Sequence, residues 1–173
     1  MADPVRRVHF FVGQILTAED LQAEQDYHRE MRYLHNRILG SGVVRGLEIS
    51  VADGSTVRVG PGVGIDPRGR EIVLVEDVRI DLGTTMLQTD ASVHVTATWE
   101  QVPDGFAVGG DGGRTQPDFA RWIERPCLTL EPPDQPPPQS LSLARLTRMA
   151  DGTITIDCST RSVWRPPSGA VDD

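Results

Sequence analysis

The sequence contains no lysine, so arginine supplies all 17 of its basic side chains. The 25 acidic residues outnumber them and leave a net charge of −8. No basic stripe is therefore available to displace counterions from phosphate groups, and the composition argues against nucleic-acid binding. Arginine forks are well suited to bidentate contacts at protein interfaces.

Aromatic side chains are also scarce, at 5% of the 173 residues. This content is low for a stand-alone β domain, and we expect part of the core to be shared with neighbouring subunits. No apolar run approaches the length of a membrane span. The N-terminus has only a short apolar run that Gly13 interrupts, so we expect synthesis in the cytoplasm without a signal peptide.

The two cysteines, Cys127 and Cys158, lie far apart and outside any CxxC pair. Unpaired thiols buried in neighbouring strands are favoured over a disulfide in a chain of cytosolic composition. The four histidines show neither HxxxH nor HExxH spacing, and no GxSxG or SxxK nucleophile motif is present. We therefore predict no catalytic residue, no metal site and no cofactor.

A helix and the strand that follows it organise the rest of the chain. Thr17 is a typical N-cap, and Asp20 stands where the carboxylate of a capping box belongs. The helix is predicted to end at Gly40, a residue suited to the left-handed C′ position. The residues assigned to this helix–strand junction are Thr17, Asp20, His35, Asn36, Arg37, Gly40, Gly42 and Gly46.

One face of the predicted helix carries an apolar stripe of Tyr27, Met31, Leu34 and Ile38. Two interpretations of this stripe stay open. In the first, the stripe packs on the chain's own β domain as a lid. In the second, it forms a seam between identical chains, because Leu21, His28 and His35 recur beside it at intervals of seven residues. The candidate assembly interface comprises Phe10, Phe11, Leu21, Tyr27, Met31, Leu34 and Ile38.

Beyond the helix, the apolar residues alternate along short runs that are separated by turn residues, among them the Asp-Gly pairs at 53–54 and 151–152, which predict hairpin turns. About seven or eight strands are indicated, with no second helix. We predict a mainly-β α+β fold, in which an N-terminal amphipathic helix precedes an antiparallel β-sandwich or flattened barrel. The predicted parts are an arm and helix (1–40), a β domain (41–163) with a mobile loop (103–118) and a proline-rich spacer (131–139), and a disordered tail (164–173).

Two features suggest other functions. Trp99 and Trp122 are candidate stacking platforms of a carbohydrate-binding module, although core packing is the simpler interpretation. Residues 60–72 resemble the GxID…RGE stretch of trimeric dUTP pyrophosphatases, in which Asp66 and Arg70 are the matching residues. The tyrosine that this family has before the RG is absent, and a turn between strands is the favoured interpretation.

A more extensive resemblance covers most of residues 8–158. The stretch VRVGPGVGIDPRGREIVL and the hairpin SLSLARLTRMADGTITID belong to it, with Gly64 where related sequences have alanine. These motifs resemble a family of small proteins encoded with phage tails and phage-tail-like contractile injection systems. The first motif of the resemblance spans residues 10–47, where the matching residues are Phe11, Gly13, Gln14, Leu16, Thr17, Asp20, His35, Asn36, Arg37, Leu39, Gly42, Val43, Val44, Gly46 and Leu47.

This resemblance implies a non-enzymatic structural component, often trimeric, at one end of a particle, such as a baseplate, fibre attachment or cap. The expected partners are other copies of the chain and the tail, baseplate, sheath or tube proteins of the particle. Fibres usually continue into long shafts, whereas this sequence carries one domain. We therefore expect an adaptor or assembly factor. The resemblance leaves open which component it is.

Overall fold

A computed structural model describes residues 6–83, 91–111, 114–132 and 139–165. Within these ranges one helix, α1 (Ala18–Leu39), precedes ten strands, which confirms the mainly-β α+β fold. The strands are β1 (Gly42–Gly46), β2 (Ile49–Asp53), β3 (Thr56–Val59), β4 (Gly62–Ile65), β5 (Glu71–Leu74), β6 (Val78–Asp81), β7 (Ser92–Asp111), β8 (Arg114–Glu131), β9 (Leu141–Arg148) and β10 (Ile154–Asp157).

The strands form three antiparallel sheets in the orders β1-β4-β5, β2-β3-β6 and β10-β9-β7-β8, and none of the described sheets closes into a barrel. The predicted DG turns are confirmed, since Asp53-Gly54 joins β2 to β3 and Asp151-Gly152 joins β9 to β10. Both turns carry the Asp side chain that accepts a hydrogen bond from the backbone two residues on.

The first two sheets share one kinked hairpin. Its two arms pair as β1 with β4 and as β2 with β3, and the chain changes sheet between these pairs. At the kink the Leu47 N–H donates to the Pro61 carbonyl at 3.1 Å, and the Gly60 N–H donates to the Glu48 carbonyl at 2.8 Å. Gly46 and Leu47 both have positive φ, at 62° and 56°. The Arg161 guanidinium donates to the carbonyls of both residues and holds the bend.

The third sheet contains a long hairpin that the sequence did not predict. β7 pairs with β9 from Ser92 to Ala97, and beyond Ala97 it pairs with β8 as far as Asp111. We call residues 98–111 and 114–127 the ribbon; at about 3.3 Å per residue each of its strands is roughly 45 Å long.

The loop predicted over residues 103–118 is instead part of this ribbon, whose residues 103–111 and 114–118 are paired strand. Its glycines and aspartates favour a loop by their local propensity. Cross-strand hydrogen bonding satisfies the backbone whatever the side chains are, and this long-range pairing overrides local propensity. Pro126 lies in β8, which is an edge strand of its sheet, where a residue without an N–H is tolerated.

One hydrophobic core joins the three sheets. Its members come from both arms of the kinked hairpin, from β5, β7, β9 and β10, and from the segment after β6. They are Val43, Leu47, Val57, Val59, Ile72, Leu74, Leu82, Val93, Val95, Ala97, Leu141, Leu143, Leu146 and Ile154. None of these residues belongs to α1, so the core is built without the helix.

The last described residues of the chain contact the start of the β domain. Val163 bridges Val43 in parallel, and the Trp164 N–H donates to the Val43 carbonyl at 3.0 Å. The Trp164 indole N–H donates to the Leu39 carbonyl at 3.1 Å, so the side chain is anchored at the end of α1. Most of the proline-rich spacer (131–139) and the last residues of the predicted tail (164–173) lie outside the described ranges.

The cysteines lie apart. Cys127 is in β8 and Cys158 follows β10, at opposite edges of the third sheet, and both thiols are free. The prediction of buried thiols in neighbouring strands is wrong, since Cys158 is exposed and Cys127 is half-buried. In the described part of the chain no helix is long and apolar enough to cross a membrane.

Candidate functional site

The N-terminus of α1 has the capping box that the sequence predicts. The Thr17 hydroxyl accepts from the Asp20 N–H at 3.2 Å, and the Asp20 carboxylate accepts from the Thr17 N–H at 3.1 Å. Hydrogen bonds from its own backbone N–H and from the Thr17 side chain hold the pKa of Glu19 below its ordinary value. Local contacts therefore define where the helix begins.

Removing the capping hydroxyl should weaken the helix measurably. We expect Thr17→Ala to lower the free energy of unfolding by about 1 kcal/mol, because the Asp20 N–H loses its acceptor. Thr17→Ser keeps a hydroxyl there and should behave like the wild type. Urea unfolding at one fixed protein concentration measures both variants, and equal losses in the two would contradict a role for the hydroxyl.

The C-terminus of α1 ends at Gly40, whose N–H donates to the carbonyls of Asn36 and Arg37 at 3.0 and 3.3 Å. Gly40 has the positive φ expected of a helix end, at 97°, but its ψ of 164° is extended. The prediction of a left-handed residue at this position is therefore only partly right. The extended backbone directs the chain straight into β1.

One face of α1 contacts the β domain through Tyr33, which is 6% exposed and is the buried residue of the helix. The Tyr33 carbonyl lies against Gly69, where an added Cβ would come within 2.2 Å of that oxygen. Desolvation raises the pKa of the Tyr33 phenol above its ordinary value, so the group stays neutral. The sequence did not single out Tyr33, because it lies outside the apolar stripe.

The same face carries the Asn36-Arg37 pair of the first motif. Asn36 Nδ2 donates to the Gly69 carbonyl at 2.8 Å and to Glu71 Oε1 at 2.7 Å. Arg37 Nη1 donates to the Arg68 carbonyl at 3.1 Å. The helix of the first motif therefore contacts the β4–β5 turn, which belongs to the stretch VRVGPGVGIDPRGREIVL. It binds this turn through two backbone carbonyls and the Glu71 side chain. His35, beside them, is exposed.

Asp66 and Arg70 form an ion pair inside the β4–β5 turn. The Asp66 side chain is fully buried and accepts from the backbone N–H groups of Arg68 and Arg70 at 2.8 and 2.9 Å. Arg70 Nε and Nη2 both lie 2.6 Å from Asp66 Oδ2. This geometry supports the interpretation as a turn, because the carboxylate that matches the dUTP pyrophosphatase stretch has no accessible surface.

The apolar stripe of α1 faces away from the β domain. At about 100° per residue, its four residues centre roughly 180° around the helix from the Arg32–Tyr33–Asn36 face. Ile38 is 69% exposed and Leu34 is 38% exposed, and Tyr27 and Met31 are only half-buried. We call Tyr27, Met31, Leu34 and Ile38 the outer stripe. The C-terminal end of the stripe, at Ile38, is uncovered in a single chain, which favours the seam interpretation over the lid.

An apolar arm precedes the helix. Among its described residues, 6–16, Phe11 is 63% exposed, Ile15 is 87% exposed, and Phe10 and Leu16 are about half exposed. A tight turn closes the arm at its middle, where the Gln14 N–H donates to the Phe11 carbonyl at 3.2 Å and Gln14 Oε1 accepts from the Phe11 N–H at 3.3 Å. The arm therefore presents Phe11 on an ordered turn.

A cleft of about 1000 Å³ separates the first half of α1 from the ribbon. We call it the helix–ribbon cleft. Its helix wall is polar, and its ribbon wall carries Phe119 and Trp122, whose rings meet edge to face at 4.3 Å. Among the lining residues, Arg32 lies 3.2 Å from Glu71 and 3.7 Å from Glu124. Representative lining residues are Gln25, His28, Arg29, Arg121, Trp122 and Glu124.

The two candidate tryptophans lie in different environments. Trp99 packs against the core, and the Arg70 guanidinium lies over its ring at 4.8 Å, so this face is not open to a sugar. Trp122 is 50% exposed and lies in the helix–ribbon cleft. Core packing is therefore the correct interpretation for Trp99 and not for Trp122. Within the described ranges, no three His, Cys, Asp or Glu side chains are grouped as metal ligands.

Known families and curated proteins give no match to this sequence. Solved structures do share its fold. A chain of the TssK–TssF–TssG baseplate subcomplex of the type VI secretion system superposes with a TM-score of 0.57 at 16% identity, over 89% of this chain and 60% of that one.

Two further structures agree. The crystal structure of TssK gives a TM-score of 0.57 at 11% identity, over 89% of this chain and 41% of that one. The baseplate complex from the type VI secretion system gives 0.57 at 16% identity, over 90% and 58%. This chain thus spans about half the length of the chains that it matches. At these identities the comparison establishes that the chain has the fold of part of a type VI secretion baseplate protein.

Proposed function

We propose that this protein is a non-enzymatic structural adaptor in a phage-tail-like contractile injection particle, and that it assembles with copies of itself through α1. The observation that carries the proposal is the outer stripe, an apolar helix face that points away from its own domain. The shared fold with baseplate proteins and the motif resemblance support the same role. The particle end, whether baseplate, fibre attachment or cap, belongs to the proposal.

Self-association explains why the stripe is apolar at all. An exposed apolar helix face lowers solubility unless another surface covers it. The same face of an identical helix can cover it, so no second complementary surface is needed. The core cluster lies within the β domain and α1 is buried at Tyr33, which leaves the outer stripe available for contacts with another chain. Three copies are the arrangement that the resemblance favours, and tail, baseplate, sheath or tube proteins are the expected further partners.

Placing charged side chains on the outer stripe tests this role. We expect Met31→Asp combined with Leu34→Asp to dissociate the oligomer, because two carboxylates would be buried without partners at each contact. Multi-angle light scattering should report about three chain masses for the wild type and one for the variant. Circular dichroism should show the β fold unchanged, since the stripe contributes nothing to the core.

The matched control places the same two charges elsewhere. Val75→Asp combined with Met149→Asp replaces two exposed apolar side chains of the β domain, which are 82% and 43% exposed. This variant should keep the wild-type mass. A wild-type chain that scatters as a monomer and co-purifies with no tail, baseplate, sheath or tube protein would defeat the proposal. Unfolding of the Met31/Leu34 variant would restore the lid interpretation.

A further inference from the structure

The helix–ribbon cleft has one wall that is poorly supported in a single chain. Among the described strands β7 pairs beyond Ala97 with β8 alone, and a two-stranded hairpin is at best marginally stable in water. Phe119 and Trp122 nevertheless lie on this ribbon at 39% and 50% exposure. An apolar group bound between the ribbon and α1 would bury both rings and support the ribbon.

The N-terminal arm supplies a segment of matching chemistry. Phe11 projects from the turn that Gln14 closes, so little conformational freedom is lost when its ring is bound. In the described structure Phe10 and Phe11 are exposed, so the chain's own arm does not fill its own cleft. Phe11 of the arm and Trp122 of the cleft wall are thus each at least half exposed in one chain, as expected for surfaces that meet between chains.

One acidic oxygen of the cleft lacks a hydrogen-bond partner within the described ranges, although arginines line both walls. Glu24 lines the cleft, and its Oε1 lies 3.0 Å from His28 while its Oε2 is buried with no hydrogen-bond partner among the described residues. The cleft arginines of α1 are already paired, Arg29 with Asp26 and Arg32 with Glu71. The arm carries Arg6 and Arg7 just before Phe10. A buried carboxylate oxygen without a donor therefore lies in the cleft, and the arm is rich in donors.

We propose that the N-terminal arm of a second copy of this chain occupies the helix–ribbon cleft, with Phe11 against Phe119 and Trp122 and an arm arginine on Glu24. This proposal rests on the self-association proposed above and adds a second contact to it. The outer stripe joins α1 to its neighbour on one side, and the arm joins the same neighbours on the opposite side of the helix.

Cysteine cross-linking between differently tagged chains tests the exchange. In a Cys127→Ser, Cys158→Ser background, one chain carries Phe11→Cys and the other carries Trp122→Cys. Both positions are exposed, and circular dichroism should confirm that each variant folds. After co-expression and mild oxidation, we expect a disulfide-linked heterodimer on a non-reducing gel. Pairing Phe11→Cys with Val75→Cys, an exposed site outside the cleft, should give no such band.

Other results would overturn the arm exchange. If a chain carrying both Phe11→Cys and Trp122→Cys closes a disulfide within itself while the mixed chains do not cross-link, the arm occupies its own cleft. If no cross-link forms although light scattering still shows an oligomer, the arm binds elsewhere and only self-association through the outer stripe survives. If the background protein is a monomer and no cross-link forms, both proposals fail together.

Discussion

Replacing Asp66 by alanine is expected to cost about 3–5 kcal/mol of unfolding free energy, because it removes one partner of a buried ion pair. The Arg70 side chain is only 14% exposed and would keep its charge without a counter-ion. The N–H groups of Arg68 and Arg70 would also lose their acceptor. Since Asn36 and Arg37 hold the carbonyls of this same turn, the anchorage of α1 should weaken with it.

Two companion variants separate the causes of that loss. Asp66→Asn keeps the shape and one acceptor oxygen, so it should recover part of the stability that the alanine variant loses. Asp151→Ala removes an exposed carboxylate that makes the same kind of turn contact, with the Thr153 N–H at 2.8 Å, and its effect should be much smaller. Urea unfolding at one protein concentration gives all three values. Similar losses for Asp66→Ala and Asp151→Ala would show that burial of the pair is unimportant.

Gly46→Ala is expected to be nearly as damaging, at about 2–5 kcal/mol. A left-handed backbone costs a residue with a Cβ about 1–2 kcal/mol, and forcing atoms into a packed site costs about 1–3 kcal/mol more. At Gly46 φ is 62°, and an added Cβ would lie 2.1 Å from the Pro61 carbonyl oxygen. That oxygen cannot move away, since it accepts the Leu47 N–H at the kink between the two sheets.

Gly54→Ala is the matched control for this substitution. Gly54 also lies in the kinked hairpin, at the β2–β3 turn, but an added Cβ there would meet nothing within 4 Å. We expect it to retain wild-type stability. The thermal midpoint should fall by about 2–4 °C for each kcal/mol lost, so Gly46→Ala should melt roughly 4–20 °C lower. Equal midpoints for the two variants would mean that the kink tolerates a side chain.

The sequence predicted best where local chemistry decides the structure. The cap at Thr17 and Asp20 and both DG turns are confirmed, because each is fixed by contacts within a few residues. The same reasoning recognised the outer stripe but could not tell which side of α1 would meet the β domain. That choice depends on Tyr33 and Asn36 contacting a turn some thirty residues later in the chain, which periodicity alone does not reveal.

The ribbon shows why other parts were missed. Its pairs match across the hairpin, with Glu100 opposite Arg125, Val102 opposite Ile123 and Phe106 opposite Phe119. Such pairs stabilise a sheet through contacts between strands, so they leave no mark on the local pattern of either strand. Searching for complementary residues arranged symmetrically around the glycines at 112 and 113 would have revealed them. The helix–ribbon cleft could not be predicted without the ribbon.

The closing segment at residues 161–164 has a consequence for the order of folding. Arg161 reaches the Leu47 carbonyl across 114 positions of sequence, and Trp164 reaches the Leu39 carbonyl across 125. During synthesis the kink and the end of α1 therefore wait for residues that leave the ribosome more than a hundred positions later. Contacts of such separation slow folding, since a large loop must close before they form. Until residues 161–164 are available, the kink lacks the two Arg161 hydrogen bonds that hold its bend.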